Sequence, residues 1–122
     1  MEKKWKNKNF AVALKNSISG VKQVFKAERN LRIQLAFAIV AILMAILLKL
    51  TGMEWAILVL VIGSVLFAEM LNTAIEVMLD LYIPEYNEGV KLVKDIASGA
   101  VLVTAIVSVI VGAILFLPKI LN

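Results

Sequence analysis

The chain alternates between long apolar segments and short polar ones, and three of the apolar segments are long enough to cross a membrane. Residues 31–50, 55–81 and 96–117 each contain a run dominated by apolar side chains. About 20 such residues span the ~30 Å hydrocarbon core of a bilayer. Gly52 is predicted to end the first helix and Pro84 to follow the second. The pattern predicts an all-α membrane protein with three transmembrane helices in a single domain, residues 1–122.

Residues 9–30 have a helical pattern of a different kind. Phe10, Leu14 and Phe25 belong to an apolar stripe that is flanked by Lys and Arg. Such a stripe is typical of an amphipathic helix that lies in the headgroup layer. A helix of a soluble bundle shows the same pattern, so the interfacial location depends on the apolar segments that follow.

One apolar segment ends in a polar stripe. On a helix, the side chains at i, i+3, i+4, i+7 and i+11 share a face, and here they are Glu69, Asn72, Thr73, Glu76 and Asp80. Residues 55–68, just before the stripe, carry no charge. Ionisable groups within a bilayer cost roughly 2.5–3.5 kcal/mol each at its centre, so they are candidates for function. The alternative, a soluble helix with a wet face, fits the surrounding composition poorly.

Composition supports the membrane assignment and limits the chemistry. Hydrophobic residues make up 61% of the 122 residues and charged residues 18%, which is too apolar for a soluble protein of this size. The chain has no Cys and no His, so carboxylates must do any acid–base or metal work. Ligand sets made only of oxygen favour Mg²⁺. The net charge of +4 suits an anionic membrane surface and a phosphorylated substrate equally well.

The distribution of Lys and Arg predicts the orientation in the membrane. Of the 13 such residues, all but Lys49 and Lys119 lie at or before Arg32, or at Lys91 and Lys94. Positive charge accumulates on the cytoplasmic side. We therefore expect a multi-pass protein of the plasma (inner) membrane whose amino terminus and polar stripe face the cytoplasm, where ATP is found.

The polar stripe has the residue types that phosphoryl transfer needs. Glu69 lies just inside the membrane boundary, away from bulk water, which suits a general base. Glu28 and Glu76 are positioned to share a Mg²⁺ ion if the amphipathic helix packs on the second span. For Glu28, an ion pair with Arg32 at i, i+4 is an equal alternative. Lys94 is suited to neutralise phosphate charge, whereas no Walker A or kinase-type glycine-rich loop is present.

Three motif blocks in the sequence resemble those of a known family. They are Glu69-x-x-Asn72-Thr73-Ala74-Ile75-Glu76-x-x-x-Asp80, Glu85-Tyr86-x-Glu88, and Lys94-Asp95-x-Ala97-Ser98-x-Ala100-Val101-Leu102. The chain resembles the small bacterial integral-membrane lipid kinases, the diacylglycerol kinase and undecaprenol kinase family. The resemblance begins near Ser17 and continues to the third span.

This resemblance implies an interfacial helix and three transmembrane helices that form a homotrimeric bundle with shared active sites. It also implies transfer of the ATP γ-phosphoryl group to a lipid hydroxyl with Mg²⁺ as cofactor. By matching position, the catalytic residues are Glu69, the general base, and Asn72. The metal ligands are Glu28 and Glu76. The residues that contact ATP are Glu28, Glu76, Glu85, Tyr86, Asn87, Lys94 and Asp95. The residues that contact the lipid are Glu69 and Ser98.

The sequence departs from the diacylglycerol kinases in its amino-terminal part. They have an Arg where this chain has Asn9-Phe10, an aromatic pair near Asn16 and Ile18, and an acidic residue in place of Gln34. The Lys- and Asn-rich, Cys-free composition is closer to the undecaprenol kinases. The expected acceptor is therefore undecaprenol, with diacylglycerol as the alternative.

Two other classes of function remain open from the residues alone. In a small transporter, Glu69 would act as an ion relay, although such a role favours a polar group at mid-membrane depth on another helix, where only Ser108 and Thr104 are available. In a non-catalytic scaffold, the basic amphipathic helix would recruit partners, and neutralising Glu69 would have no effect.

Overall fold

The structure is a computed structural model and describes residues 6–122. Within this range all regular structure is α-helical, in the order α1 (Phe10–Ala27), α2 (Arg29–Leu47), α3 (Gly52–Tyr82) and α4 (Glu88–Leu121). The first five residues of the basic amino-terminal tail lie outside the described range.

Helix α1 is amphipathic and lies on the outside of the molecule. The Asn9 side chain caps its amino terminus by accepting a hydrogen bond from the backbone N–H of Val12 at 3.0 Å. No residue of α1 is buried, and Phe10 is 81% exposed. An unburied apolar face flanked by cations suits the headgroup layer.

The break between α1 and α2 comes earlier than the sequence suggests. We expected a helix over residues 9–30, but Glu28 adopts an extended conformation and α2 starts at Arg29. No Pro or Gly marks this position. The sequence pattern is continuous across it, and only the packing of the helices reveals the change of direction.

The prediction that Gly52 ends the first span is wrong. Helix α2 stops at Leu47, and Lys49 takes the left-handed conformation with φ 56°. The N–H of Leu50 then bonds to the carbonyl of Ala45 at 3.1 Å, which closes a Schellman-type turn. Gly52 instead begins α3, which is capped by Thr51. The Thr51 hydroxyl accepts from the Glu54 N–H, and the Glu54 carboxylate accepts from the Thr51 N–H.

The best-packed part of the molecule lies near this turn. A small core joins the end of α2 and the α2–α3 turn to α3 and to the end of α4: Ala45, Leu50, Leu58, Leu115 and Phe116. At the same end, Lys119 forms an ion pair with Glu54 at 3.1 Å. Helices α3 and α4 pack on each other more extensively than any other pair. The firm core is therefore at the end of α3 opposite to the polar stripe.

Helices α2, α3 and α4 are each long and apolar enough to cross a membrane. Between 11 and 17% of the apolar window of each helix is buried within the chain, so lipid or neighbouring protein must cover the rest. With its 31 residues at ~1.5 Å per residue, α3 is about 46 Å long. Since the hydrocarbon core is ~30 Å thick, the polar end of α3 continues into the headgroup layer. The predicted all-α membrane fold is confirmed.

Candidate functional site

The polar stripe of α3 is buried in its first half and exposed at its end. Glu69 is 1% exposed, Asn72 9% and Thr73 6%, and they are the buried polar side chains of residues 6–122. Asp80, about three turns beyond Glu69, is exposed. A buried carboxylate in an apolar bundle is costly unless it has partners, so the surroundings of Glu69 define the candidate site.

Gln34 on α2 is the side chain that reaches Glu69. Its Nε2 donates to Oε2 of Glu69 at 3.5 Å, a long hydrogen bond between two helices. The Oε1 atom of Gln34 is buried and has no partner within the described structure. The sequence analysis noted Gln34 only as standing where the diacylglycerol kinases have an acidic residue, and it missed this contact. An amide in an otherwise apolar segment is the signal that points to it.

Asn72 and Thr73 continue the polar cluster along α3. Asn72 Nδ2 donates to Oε1 of Glu76 at 3.4 Å, while the Thr73 hydroxyl donates to the backbone carbonyl of Glu69 at 3.0 Å. The Oδ1 atom of Asn72 is a second buried acceptor without a partner in residues 6–122. Buried polar atoms are usually hydrogen-bonded. Two unpaired acceptors beside Glu69 therefore suit a ligand that brings hydrogen-bond donors.

Glu28 lies in the break between α1 and α2. It is half-buried, and its side chain does not cap α2. The predicted alternative, an ion pair between Glu28 and Arg32, is absent from the described residues, where the ion pairs are Lys91–Asp95, Lys94–Asp80 and Lys119–Glu54. A cavity lined by Val24 of α1 and by Met70 and Thr73 of α3 brings the end of α1, just before Glu28, close to the stripe.

The carboxylates of Glu28 and Glu76 suit a metal ion whose other ligands come from the substrate. Within residues 6–122, no three acidic side chains are close enough to form a metal site by themselves. Mg²⁺ in phosphoryl-transfer sites commonly takes one or two carboxylates and fills its octahedron with phosphate oxygens and water. Glu28 has no side-chain partner among residues 6–122, and Glu76 has one long hydrogen bond from Asn72, so both have the donor chemistry for this arrangement.

Lys94 is held beside the exposed end of the polar stripe. Its ammonium forms an ion pair with Asp80 at 2.7 Å, which joins the start of α4 to the end of α3. The Lys94 side chain is 35% exposed and that of Asp80 64%, so the cation can still reach an anionic ligand. Asp95 faces elsewhere and pairs with Lys91 at 2.7 Å. The sequence analysis had assigned no role to Asp80 beyond its place in the stripe.

The other residues expected to contact ATP lie between α3 and α4. Glu85 and Tyr86 are exposed. The Asn87 side-chain oxygen caps α4 by accepting from the N–H groups of Gly89 at 2.8 Å and Val90 at 3.1 Å. Ser98, which is expected to contact the lipid, is exposed on α4, one turn beyond Lys94. No hydrogen bond or ion pair in the described range joins these four side chains to Glu69, so their predicted roles stay predictions.

An apolar groove of about 470 Å³ leads away from Gln34 into the membrane-spanning part of the molecule. Side chains of α2, α3 and α4 line it, among them Phe37, Leu58, Val65, Ser108 and Phe116. A second apolar cavity, of about 440 Å³, lies between α1 and α3. The site thus combines the buried carboxylate of Glu69 and the amide of Gln34 with a groove that is apolar enough to bind a lipid tail.

Comparisons with known proteins agree with this chemistry. A sequence model of the family described as prokaryotic diacylglycerol kinase matches residues 15–116. The chain is 39% identical over 100 residues to the undecaprenol kinase of Bacillus subtilis, covering 82% of this chain and 81% of that protein. It is 40% identical over 115 residues to the diacylglycerol kinase of Synechocystis sp., covering 93% of this chain and 66% of that protein. No solved structure matches the chain significantly.

Proposed function

Because the chain belongs to the prokaryotic diacylglycerol kinase family and is a membrane kinase of lipid alcohols, we propose that it transfers the γ-phosphoryl group of ATP to undecaprenol. The observation that carries this proposal is the position of Glu69. Its carboxylate is buried, and its partner Gln34 lines the apolar groove between the spans. A lipid whose tail occupies that groove brings its terminal hydroxyl to Glu69.

In this proposal Glu69 is the general base. Its carboxylate takes the proton of the lipid hydroxyl as the hydroxyl oxygen forms a bond to the γ-phosphorus. The bond from that phosphorus to the bridging oxygen of the β-phosphate breaks, and ADP leaves with the electron pair. Asn72 supports the cluster by its hydrogen bond to Glu76, and Ser98 contacts the lipid.

We propose that the phosphates of ATP bind where the polar stripe of α3 reaches the membrane surface. Glu28 and Glu76 hold Mg²⁺, which when bound neutralises charge on the phosphates. Lys94, held by Asp80, adds a positive charge at the same end. The remaining nucleotide contacts come from side chains in the α3–α4 turn and at the start of α4: Glu85, Tyr86, Asn87 and Asp95.

Two observations favour undecaprenol over diacylglycerol as the acceptor. The match to the undecaprenol kinase covers 81% of that protein, whereas the match to the diacylglycerol kinase covers 66% of a longer one. The groove at Gln34 also suits one extended tail. Identity alone does not separate the two, since it is 39% in one case and 40% in the other.

The assembly and orientation belong to the same proposal. The large apolar surface that α2, α3 and α4 leave uncovered supports a homotrimer in which neighbouring subunits complete each site. The cations near α1 and at the start of α4 support a cytoplasmic site in the plasma membrane.

A competition assay tests the choice of acceptor. Purified protein in mixed micelles with Mg-ATP receives undecaprenol and diacylglycerol together at equal mole fractions, and the two lipid phosphates are quantified separately. We expect undecaprenyl phosphate to form with the higher kcat/KM. A preference for diacylglycerol would refute the acceptor assignment, and the absence of both products would refute the lipid kinase function itself.

A further inference from the structure

Arg32 occupies an unexpected position at the break between α1 and α2. It follows Glu28 by four residues, a spacing that favours an ion pair on a continuous helix. Its Nη1 atom instead donates two hydrogen bonds of 2.8 Å, to the backbone carbonyls of Phe25 and Lys26. Both carbonyls belong to the last turn of α1, where the helix provides no partners of its own.

This contact fixes the direction in which α1 leaves α2. A cation at the carboxyl end of a helix is favoured by the helix dipole as well as by the hydrogen bonds. Because Arg32 belongs to the first turn of α2, its guanidinium connects the two helices across the break. No Gly or Pro lies between Phe25 and Arg32, so the change of direction depends on such contacts.

The same contact leaves the Glu28 side chain available. The backbone of Glu28 is held on both sides, since its N–H bonds to the carbonyl of Val24 at 2.8 Å and its carbonyl accepts from the N–H of Arg32 at 3.4 Å. Its carboxylate has no hydrogen bond or ion pair to any residue in 6–122. A fixed backbone with an unpaired carboxylate is the arrangement expected of a preorganised metal ligand.

We propose that Arg32 is a positioning residue that sets the angle between α1 and α2 and thereby directs the Glu28 carboxylate toward the Glu76 side of the site. This inference rests on the proposed role of Glu28 as a Mg²⁺ ligand. The hinge, meaning the angle between α1 and α2 at the break, does not depend on that role and can be measured without metal or nucleotide.

Spin-label distances test the hinge directly. The chain has no Cys, so Lys15→Cys on α1 and Leu47→Cys at the end of α2 give a specific label pair. The labelled protein is diluted with unlabelled protein to suppress distances between subunits. We expect a narrow distribution in the parent and a clearly broader one after Arg32→Gln. The matched control is Arg29→Gln, a neighbouring exposed Arg, which should leave the distribution narrow. An unchanged distribution in Arg32→Gln would overturn the hinge role.

Magnesium titration of kinase activity tests the link to Glu28. Loss of groups that orient metal ligands typically costs 10–100-fold in affinity or activity, so we expect Arg32→Gln to raise the half-saturating Mg²⁺ concentration by about tenfold at the lower end of that range. Turnover at saturating Mg²⁺ should fall much less, and Arg32→Lys, which keeps the charge, should recover part of the loss.

The double variant separates the two claims. In a Glu28→Gln background, Arg32→Gln should add little to the magnesium defect, because the residue through which it acts is already gone. A full additional defect would show that Arg32 does not act through Glu28. If Glu28→Gln leaves the magnesium dependence unchanged, the metal role in the proposed function fails, and the spin-label distances still decide the hinge.

Discussion

At the scale of single residues, the chemistry depends on keeping one carboxylate out of water. Glu69 is 1% exposed, and within residues 6–122 its carboxylate has one side-chain hydrogen bond, the long one from Gln34. The stripe that contains Glu69 could be predicted, because helical periodicity places residues three and four apart on one face. The contact with Gln34 could not, because it joins residues 35 positions apart and arises only when α2 packs against α3.

Gln34 is expected to orient Glu69 rather than to bind the lipid. Replacing Gln34→Leu keeps the approximate size and removes the donor. A hydrogen bond is worth about 0.5–1.5 kcal/mol, so kcat should fall roughly 2–10-fold, while the KM for the lipid stays near the wild-type value. Steady-state kinetics at saturating Mg-ATP measures both constants.

The matched control for this prediction is Gln23→Leu. Gln23 lies on exposed α1, and within the described residues its side chain hydrogen-bonds only to Ser19, so its replacement should change neither constant. A rise in KM with unchanged kcat in Gln34→Leu would contradict the orienting role and indicate a lipid-binding one.

At the scale of helices, α3 is fixed at one end and functional at the other. The capping box of Thr51 and Glu54, the ion pair of Glu54 with Lys119 and the small apolar core all lie near its start. The sequence pattern Thr51-x-x-Glu54 is a standard capping-box signal. It indicates a helix start at this point, whereas Gly52 taken alone indicates a helix stop. The left-handed turn falls at Lys49, where the residue type gives no indication of it.

Removing the cap should reduce stability without affecting catalysis. Thr51→Ala loses the acceptor for the Glu54 N–H and should lower the free energy of unfolding by about 1 kcal/mol. Reversible unfolding in mixed micelles measures this change. Activity of the folded protein should be unaltered, since Thr51 is at the far end of α3 from Glu69.

Ser64→Ala is the control for the cap. The Ser64 hydroxyl is exposed and bonds back to the carbonyl of Leu60 within α3, a contact that contributes little to helix stability. Both variants remove a side-chain hydroxyl group, one at the amino-terminal cap of α3 and one in its interior. Equal stability of Thr51→Ala and Ser64→Ala would contradict the capping role.

At the scale of the whole molecule, the fold class could be predicted almost entirely from hydropathy, and the break at Glu28 could not. Three apolar segments and one amphipathic helix follow from the spacing and length of apolar runs. The break depends on side-chain contacts such as those of Arg32, which no local pattern encodes. As a result the sequence identified Glu28 as a candidate ligand. It did not reveal the hydrogen bonds of Arg32 to the end of α1, which leave the Glu28 carboxylate without an ion pair to Arg32.

The most direct test of lipid phosphorylation at this site is the turnover of Glu69→Gln with undecaprenol and Mg-ATP. Its control is Glu54→Gln, which makes the same chemical change on the same helix at the opposite end. Loss of a general base should lower kcat by roughly 10²–10⁴-fold, while Glu54→Gln should retain wild-type turnover once folded. Near-wild-type turnover of Glu69→Gln would contradict the assignment of Glu69 as the base and of the buried cluster as the catalytic centre.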